Sequence, residues 1–404
     1  MTPAILSDPQ KRESAMRSTS VRQMKNRLFV YFCTVVASVS VLILFVLLGA
    51  IFTQGLNFLS LDFLKRPAST DPAECGVSTG LVGTLMICSV CALFTLPLGV
   101  ATAIFLEEYQ PKSRFFRRMR SFVQLNITNL AGVPSVVYGI LGLTAFVNLF
   151  GIAGSHSEPA FEIGANHYYQ YLNLEPDEPQ TMLIPVSGSD QSAPELKTGM
   201  LAYTGNGRQV ELNVISADAA WPDDPDLEAR TLRVNETGGL LTETRWYHFQ
   251  IPFGRSVLAM GLTLMLVVLP ILITASQEAL RAVPFSLREG AYGLGASRWQ
   301  TVRSVTLPAA IPGIMTGSII AMSRAIGEAA PIVIISGVAF MTAMPHSLMS
   351  DSPVLPLQIF FWSGQAVKGF HDVAASGIIV LLGVLLLFNM FAVILRQKLQ
   401  KPLS

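Results

Sequence analysis

Six long apolar segments limit what this chain can fold into. A helix needs about 20 mostly apolar residues to cross the roughly 30 Å hydrocarbon core of a bilayer. The six segments are residues 28–52, 80–106, 125–150, 257–274, 307–340 and 373–395. Five contain no charged residue, and 307–340 is interrupted only by Arg324 and Glu328. Charged residues make up 14% of the chain, against about 25% in soluble domains. We therefore expect an all-α membrane protein with six transmembrane helices.

The distribution of charge predicts the orientation of these helices. Basic residues cluster in the first 27 residues, at 112–120, at 281–303 and after residue 395. Residues 155–254 contain 15 of the 27 acidic residues but 5 of the 28 basic ones, a net charge of −10. Six helices put all the basic clusters on one side, which the positive-inside rule assigns to the cytoplasm. We expect a multi-pass protein of a bacterial plasma membrane with both termini cytoplasmic.

The same pattern divides the chain into segments. A cytoplasmic tail (1–27) precedes a first helix (28–52), which is long for a signal peptide and is interpreted as an uncleaved signal anchor. A membrane core of two helices (77–154) and three helices (255–395) flanks the acidic segment 155–254, and 396–404 form a second cytoplasmic tail. Alternating polar and apolar residues at 209–214, between turn-rich stretches, predict that 155–254 is a small β-rich extracytoplasmic insert.

The loop before the segment 307–340 has a specific pattern. Small residues follow Glu289, Gly295 ends the stretch, and Leu-Pro comes just before the next apolar segment. This predicts a short helix along the cytoplasmic membrane face, with the chain re-entering the membrane at Pro308. The spacing resembles the EAA loop of ABC importer permeases, with Gly290 in place of an alanine and Val305 in place of an isoleucine. The residues that carry this resemblance are Glu289, Gly290, Ala291, Gly295, Val305, Leu307 and Pro308.

The resemblance implies that 287–308 is the segment through which the permease docks on an ATPase subunit. The alternative from the residues alone is an ordinary amphipathic cytoplasmic loop.

Two charges inside an apolar segment need an explanation. Arg324 lies 12 residues beyond Pro312, about 18 Å along a helix and so near the middle of the membrane. A charge there costs about 2.5–3.5 kcal/mol. Arg324 and Glu328 are four residues apart and can pair on one helix face. We interpret Arg324 as a cation on a polar pathway, and a self-neutralising structural pair is the alternative. Small residues at 313, 317, 321, 325 and 329 predict a close helix contact, which we expect between two subunits.

The wording of several segments resembles one transporter family. Residues 323–331 are similar to the R-A-I-G-E-T-A-P signature of phosphate permeases, with Ala329 in place of the threonine. Residues 82–85, 97–100, 106–109 and 130–139 resemble the same family. Among the last of these, Gly132, Pro134 and Ser135 predict a kink or, as the alternative, a broken helix whose free N–H groups bind an anion.

The chain thus resembles the A-type permease subunit of the high-affinity phosphate (Pst) ABC transporter. The resemblance implies the type I ABC importer permease fold, a heterodimer with a C-type permease, two ATP-binding subunits and an extracytoplasmic phosphate-binding protein. Candidate pathway residues are Arg324, Glu328, Gly132, Pro134 and Ser135. The alternatives are a permease for molybdate or sulfate, the C-type paralogue, and a membrane-anchored sensor.

Other kinds of chemistry have little support in the sequence. No glycine-rich Walker motif is present, so we expect no ATPase site and no cofactor. Cys88 and Cys91 form a C-x-x-C inside an apolar segment and are interpreted as buried small residues rather than metal ligands. The basic residues 112–120 are interpreted as contacts to lipid headgroups, and no nucleic-acid partner is expected.

Overall fold

The computed structural model describes residues 9–109, 113–152, 160–173, 181–185, 200–204, 209–212, 239–337, 344–345 and 347–399. In these residues five helices are long and apolar enough to cross a membrane, and a sixth crossing is made if one bent helix pair counts as a span. The chain divides into two compact units, residues 1–57 and 58–404.

The first unit contains one long helix, α1 (Pro9–Gly55). Its apolar part has no buried residue within the described chain, as expected of a helix that faces lipid. The helix begins well inside the segment 1–27 that we expected to be a tail, and residues 1–8 lie outside the described residues. No proline or glycine between Gln10 and Arg27 interrupts the helix, which explains why it extends past the membrane segment.

The second unit begins with α2 (Leu61–Lys65) and the long helix α3 (Ser78–Glu108). After the sheet come α6 (Val257–Arg281), α7 (Phe285–Gly293) and α8 (Arg298–Thr301). A π-helical turn (Val302–Thr306) joins α8 to α9 (Leu307–Gly327). The chain ends with α10 (Ala330–Ser336), α11 (Leu355–Ser363) and α12 (Lys368–Leu399).

The core of this unit lies where α3 packs along α6. A Cβ on Gly261 would lie 2.7 Å from the Cβ of Val90, and one on Gly99 would lie 2.7 Å from a methyl group of Leu272. Both contact positions advance together along the chain, so α3 and α6 are parallel. Their last residues, Glu108 and Arg281, therefore lie at the same end of the bundle. Because α6 begins at the opposite end of the bundle from where α3 stops, the chain between them must cross the bundle an odd number of times.

The predicted span 125–150 is not one helix, and the simple kink that we expected is wrong. The segment forms α4 (Arg114–Leu130) and α5 (Ser135–Gly142), whose axes differ by 115°. Pro134 lacks an N–H group and keeps Val133 out of the helical region, so the helix ends before it. The hydroxyl of Tyr138 donates to the carbonyl of Leu130 at 2.7 Å and satisfies one of the acceptors that the break frees. A π-helical turn (Leu143–Val147) and a 3-10 turn (Leu149–Gly151) follow α5.

The predicted span 307–340 is also interrupted. The helix α9 ends at Gly327, and Glu328 has an extended conformation (φ −80°, ψ 110°) before α10 begins. Pro331 explains this break, because it provides no N–H group to continue the helix. Gly337 ends α10 with φ +57°, and residues 338–340 lie outside the described residues.

The small residues on α9 pack inside the chain and not against another subunit, which corrects our expectation. Cβ atoms built on Gly313 and Gly317 would lie 2.6 Å and 2.5 Å from the Cβ atoms of Ala279 and Ala275. The contact positions run in opposite directions, so α9 is antiparallel to α6. The row that we expected at a subunit interface therefore lets two helices of the same chain approach closely.

The predicted β-rich insert contains a five-stranded antiparallel sheet among the described residues. The strands are β1 (Phe161–Asn173), β2 (Thr181–Pro185), β3 (Met200–Thr204), β4 (Gln209–Leu212) and β5 (Gly239–Ile251). Their order in the sheet is β2-β1-β5-β3-β4. The long pair β1 and β5 begins with Phe161 opposite Ile251 and so closes the insert next to the membrane helices. Of the alternating run 209–214, only the first four residues lie among the described strands.

Candidate functional site

The segment 287–308 forms two short helices joined by a tight turn. Glu289, Gly290 and Ala291 lie on α7, and Gly295 provides the left-handed residue of the turn (φ +83°), which favours glycine. Ser297 then begins α8 with a capping box, in which its side chain accepts from Gln300 N and Gln300 Oε1 accepts from Ser297 N. Cβ atoms on Gly290 and Gly295 would meet no atom within 4 Å, so this surface is open.

The helical stretch that contains Pro308 begins ten residues earlier, at Arg298. Helical structure continues from Arg298 through the π turn (Val302–Thr306) into α9. Pro308 lacks the N–H group that an α-helix needs at this point, and the wider π turn just before it accommodates the change in hydrogen bonding. Val305, Leu307 and Pro308 therefore lie within a continuous helical stretch, and entry into the membrane at Pro308 stays a prediction.

Large apolar side chains are uncovered on this segment. The exposed fractions are 92% for Leu294, 65% for Phe285 and 58% for Trp299. Such a patch, surrounded by polar residues, is typical of a surface that binds another protein.

A buried ion pair fastens α7 to the end of α3. Arg288 donates to Glu108 Oε1 from Nη2 at 2.9 Å, and the side chains are only 14% and 7% exposed. The same guanidinium donates to the carbonyls of Leu280 (2.7 Å) and Val283 (2.9 Å). One arginine thus contacts α3, the end of α6 and the linker between α6 and α7, so α7 cannot shift without disturbing both long helices.

A second cluster lies beside this pair. Glu107 accepts two hydrogen bonds from Arg281, at 2.9 Å and 2.6 Å, and a third from Gln277 at 3.0 Å. Gln277 also donates to Gln124 of α4 at 2.9 Å. The two clusters line a cleft of about 660 Å³ at the end of the bundle, together with Phe285, Tyr292, Ala296 and Arg298.

Sequence reasoning did not identify these partners. Glu107 and Glu108 entered it only through their resemblance to the family, and Arg281 and Arg288 only as positive-inside residues. The available signal was topological, because two parallel helices end in opposite charges on the same side of the membrane. Only the parallel packing of α3 and α6 brings these charges within hydrogen-bonding distance.

Arg324 and Glu328 form a separate site in the middle of the bundle. Nε of Arg324 donates to Glu328 Oε1 at 3.0 Å, and the side chains are 55% and 15% exposed. Within the described chain, the two terminal nitrogens of Arg324 have no hydrogen-bond partner. Because Gly317 faces Ala275 in the antiparallel pair, Arg324 is level with about Val268, the middle of α6. This geometry agrees with the expected depth.

One polar neighbour of this pair was not foreseen. Ser323 donates to Asn389 Oδ1 of α12 at 2.6 Å, so a polar contact joins α9 and α12 inside the apolar region. Asn389 is the only residue between 373 and 395 that carries a side-chain amide, a sign that could have been used.

The break before α5 lies close to the break after α9. A Cβ on Gly139 would lie 2.8 Å from the carbonyl oxygen of Pro331, so α5 and α10 touch at that point. Ser135 is about one helical turn before Gly139 on α5, and Glu328 is three residues before Pro331 in the chain. Gly132 and Pro134 are exposed, and Ser135 is half-buried. The structure thus groups the two helix breaks, whereas the segment 287–308 lies with the clusters at the end of the bundle.

The chain is similar in sequence to known membrane transport proteins. Residues 95–401 match the family described as "Binding-protein-dependent transport system inner membrane component". The chain is 24% identical over 380 residues to "Probable ABC transporter permease protein YqgI" of Bacillus subtilis, covering 91% of this chain and 94% of that one. It is 25% identical over 320 residues to "Phosphate transport system permease protein PstC" of Haemophilus influenzae, 77% of this chain and 75% of that one.

Another relative matches over a shorter stretch but at a higher sequence identity. The chain is 36% identical over 105 residues to "Phosphate transport system permease protein PstA 1" of Mycobacterium tuberculosis, 26% of this chain and 34% of that one. Among solved structures, a bacterial ABC transporter involved in alginate import is similar at TM-score 0.48 and 13% identity, covering 95% of this chain and 100% of that one.

Proposed function

The chain belongs to the family of inner-membrane components of binding-protein-dependent transport systems, and we propose that it is the A-type permease subunit of a phosphate importer. Membership of the family makes the chain a multi-pass membrane subunit without its own ATPase site. ATP-binding subunits and a substrate-binding protein are its partners. The substrate, the second permease and the roles of individual residues belong to the proposal.

One observation supports the substrate most directly. An arginine level with the middle of α6 uses one nitrogen on Glu328, and its terminal nitrogens have no hydrogen-bond partner among the residues that the structure describes. A half-exposed cation at this depth is costly against lipid, so it is expected to face a polar pathway or a partner. The planar fork of a guanidinium donates two parallel hydrogen bonds to an oxyanion such as phosphate. Glu328 offsets the charge when the pathway is empty.

Two relatives named as phosphate permeases support the same substrate, but they differ in type. The long match is to a PstC and the more similar short match is to a PstA. We propose the A-type because residues 323–331 end in Ala-Pro and are preceded by Ala-Ile-Pro-Gly-Ile at 310–314. A C-type subunit is then the proposed partner in a heterodimer.

The segment 287–308 is proposed as the docking site for an ATP-binding subunit. Its open glycines and uncovered Leu294, Phe285 and Trp299 provide a surface that another protein can cover. Closure of the ATP-binding subunits would move α7, and the ion pair between Arg288 and Glu108 would carry that movement to α3 and α6. With this segment in the cytoplasm, both termini are cytoplasmic and the acidic insert is on the outer side.

The test is uptake of radiolabelled phosphate by cells that express the whole transporter. Arg324→Gln should lower uptake by about 10- to 100-fold, since hydrogen bonds to a charged group contribute about 1.5–3 kcal/mol. Arg324→Lys keeps the charge without the fork and should fall in between. Lys398→Gln, an exposed change at the end of α12, is the control. Unchanged uptake in Arg324→Gln, with normal co-purification of the ATP-binding subunit, would remove Arg324 from the pathway.

Competition by other anions tests the substrate class. Unlabelled phosphate should suppress the uptake, and equal concentrations of molybdate or sulfate should not. Stronger suppression by either of these would favour the alternative permease.

A further inference from the structure

The helix α4 begins with a strongly two-sided segment. In its first nine residues, the positions fall on a helical wheel at about 100° intervals. The apolar side chains Phe115, Phe116, Met119 and Phe122 occupy an arc of about 120° on this wheel. Arg114, Arg117 and Arg118 occupy an arc of about 100° on the other side. No acidic residue lies between 113 and 130, so nothing within the helix neutralises these arginines.

Neither face is covered by the described chain. The exposed fractions are 71% for Phe115 and 66% for Phe122. Arg114, Arg117 and Arg118 are exposed and form no ion pair with the residues that the structure describes. A helix that leaves both an aromatic and a cationic face open needs an environment that is apolar on one side and anionic on the other.

Hydrogen bonds place this helix at the end of the bundle where α3 and α6 finish. Gln124, in the middle of α4, accepts from Gln277, which also donates to Glu107. These contacts lie where α3 and α6 end, so the start of α4 is at the face that carries the segment 287–308. Because α4 and α5 differ by 115° in direction, α4 runs close to the membrane plane if α5 follows the bundle.

We propose that residues 114–122 form an interfacial helix that binds the headgroups of anionic lipids. Arg114, Arg117 and Arg118 bind the phosphate groups, and Phe115, Met119 and Phe122 lie among the upper parts of the acyl chains. A basic face with aromatic residues opposite it is the composition of helices that lie in the membrane surface. Spanning the membrane is excluded for this part of α4, because four arginines within seven residues would enter the hydrocarbon.

A second permease subunit is the other candidate for covering this helix. A protein partner would need several carboxylates opposite three arginines and an apolar surface against the phenylalanines. An anionic leaflet provides both features without a specific partner, which is why the observations favour lipid. The contacts through Gln124 further connect the lipid-bound helix to the clusters of Glu107 and Arg281.

The first experiment measures lipid preference of the assembled transporter. In mixed micelles, native mass spectrometry should show retention of phosphatidylglycerol over phosphatidylcholine. Each arginine near an anionic surface contributes about fivefold, so Arg118→Gln should weaken phosphatidylglycerol binding about fivefold. The triple variant Arg114→Gln, Arg117→Gln, Arg118→Gln should weaken it on the order of 100-fold by the same per-residue contribution.

The matched control removes the same charge elsewhere. Arg22, Lys25 and Arg27 are exposed on α1, and their joint replacement by Gln should reduce phosphatidylglycerol retention much less. An equal loss in both triple variants would mean that binding follows net charge and would overturn the assignment to α4.

The second experiment identifies what covers the apolar face. With the exposed Cys33 replaced by Ser, a spin label is attached to Phe122→Cys or Ser121→Cys in the transporter reconstituted into phosphatidylglycerol vesicles. The label at 122 should be accessible to oxygen and the label at 121 to a water-soluble nickel chelate. An immobile label at 122 that neither reagent reaches would show a protein partner there, and nickel access at 122 would place the face in water. Either result contradicts the proposal.

Discussion

The two charged regions of the membrane bundle differ in how firmly they are held. At the bundle end, Arg288 and Glu108 are nearly buried and join α3, α6 and α7, with Arg281 and Glu107 beside them. In the middle, the only ion-pair partner of Arg324 among the described residues is Glu328, four residues away, and more than half of the Arg324 side chain is exposed. The first region links separate helices, and the second leaves donors available.

The difference in burial and in the number of contacted helices suits the two ion pairs to different proposed roles. A buried pair that contacts several helices resists movement of one against the others, so it suits the transmission of force from a docking surface. A locally paired, accessible arginine can exchange its partner for an anion at little structural expense. The presence of charge in a membrane protein does not distinguish these roles, but the number of segments that each charge contacts does.

The largest effect on stability is expected for Glu108→Gln. It leaves the buried Arg288 without its counter-charge, which destabilises by about 3 kcal/mol, the lower end of the range for broken buried pairs. Thermal unfolding of the purified complex measures the change. The double variant Glu108→Leu with Arg288→Met removes the uncompensated charge and should recover part of the stability. The recovery is partial because the carbonyls of Leu280 and Val283 lose their donor, and the coupling of ATP hydrolysis to uptake should not return. Full stability in Glu108→Gln would show that the pair at the bundle end does not hold the helices together.

A smaller loss of stability is expected from a substitution in the turn at Gly295, within the proposed docking segment. Gly295→Ala forces a left-handed backbone on a residue with a Cβ, which costs about 1–2 kcal/mol, and should reduce co-purification of the ATP-binding subunit. Gly293→Ala is the matched control, because it lies two residues away, has open space for a Cβ and has no positive φ. Equal co-purification in both variants would contradict a role for the turn geometry.

The neighbouring pair at the bundle end should lose less than the buried one. Glu107→Gln keeps the size of the side chain and a hydrogen-bond acceptor, and its partner Arg281 is 62% exposed. A loss of about 1 kcal/mol is expected, again by thermal unfolding. A loss as large as that of Glu108→Gln would show that the second cluster is as critical as the first.

The smallest change in stability is expected for Glu328→Gln. Loss of this partly exposed pair should destabilise by less than about 1 kcal/mol, while phosphate uptake changes because Arg324 loses its counter-charge. Phosphate uptake and thermal unfolding of this variant are measured on the same preparation. A stability loss equal to that of Glu108→Gln, with normal uptake, would make the pair structural, as the alternative interpretation holds.

Much of the fold was predictable because membrane insertion is governed by local composition. The apolar segments correctly located α3, α6 and α12, and the charge in 307–340 pointed to the pair of Arg324 and Glu328. The errors came where a proline acts within such a segment. At Pro134 and Pro331 the apolar signal continues although the helix ends, because hydropathy does not record the loss of a backbone donor. Hydropathy likewise does not predict that a helix such as α1 continues beyond its apolar segment.

The site was predicted in part for a related reason. The pattern from Glu289 to Pro308 predicted a short cytoplasmic helix, which α7 matches in position, and its docking role stays a proposal. The four-residue spacing of Arg324 and Glu328 correctly predicted their pairing. The partners of Arg288 and of Ser323 come from helices 180 and 66 residues away in the chain. Such contacts depend on which helices pack together and in which direction, and no local pattern contains that information.

The sequence was enough to show that this chain carries several helices able to cross a membrane and that it belongs to a transport family. Those properties follow from composition and short motifs, since lipid selects for apolar length and local backbone satisfaction. The packing of the folded chain was needed to show that α3 and α6 run parallel, that Gly313 and Gly317 of α9 face α6 within the same chain, and that the axes of α4 and α5 differ by 115°. These features depend on packing between segments that are distant in the chain. A glycine permits a close approach, and a buried counter-charge forms an ion pair, only once the two helices are in contact.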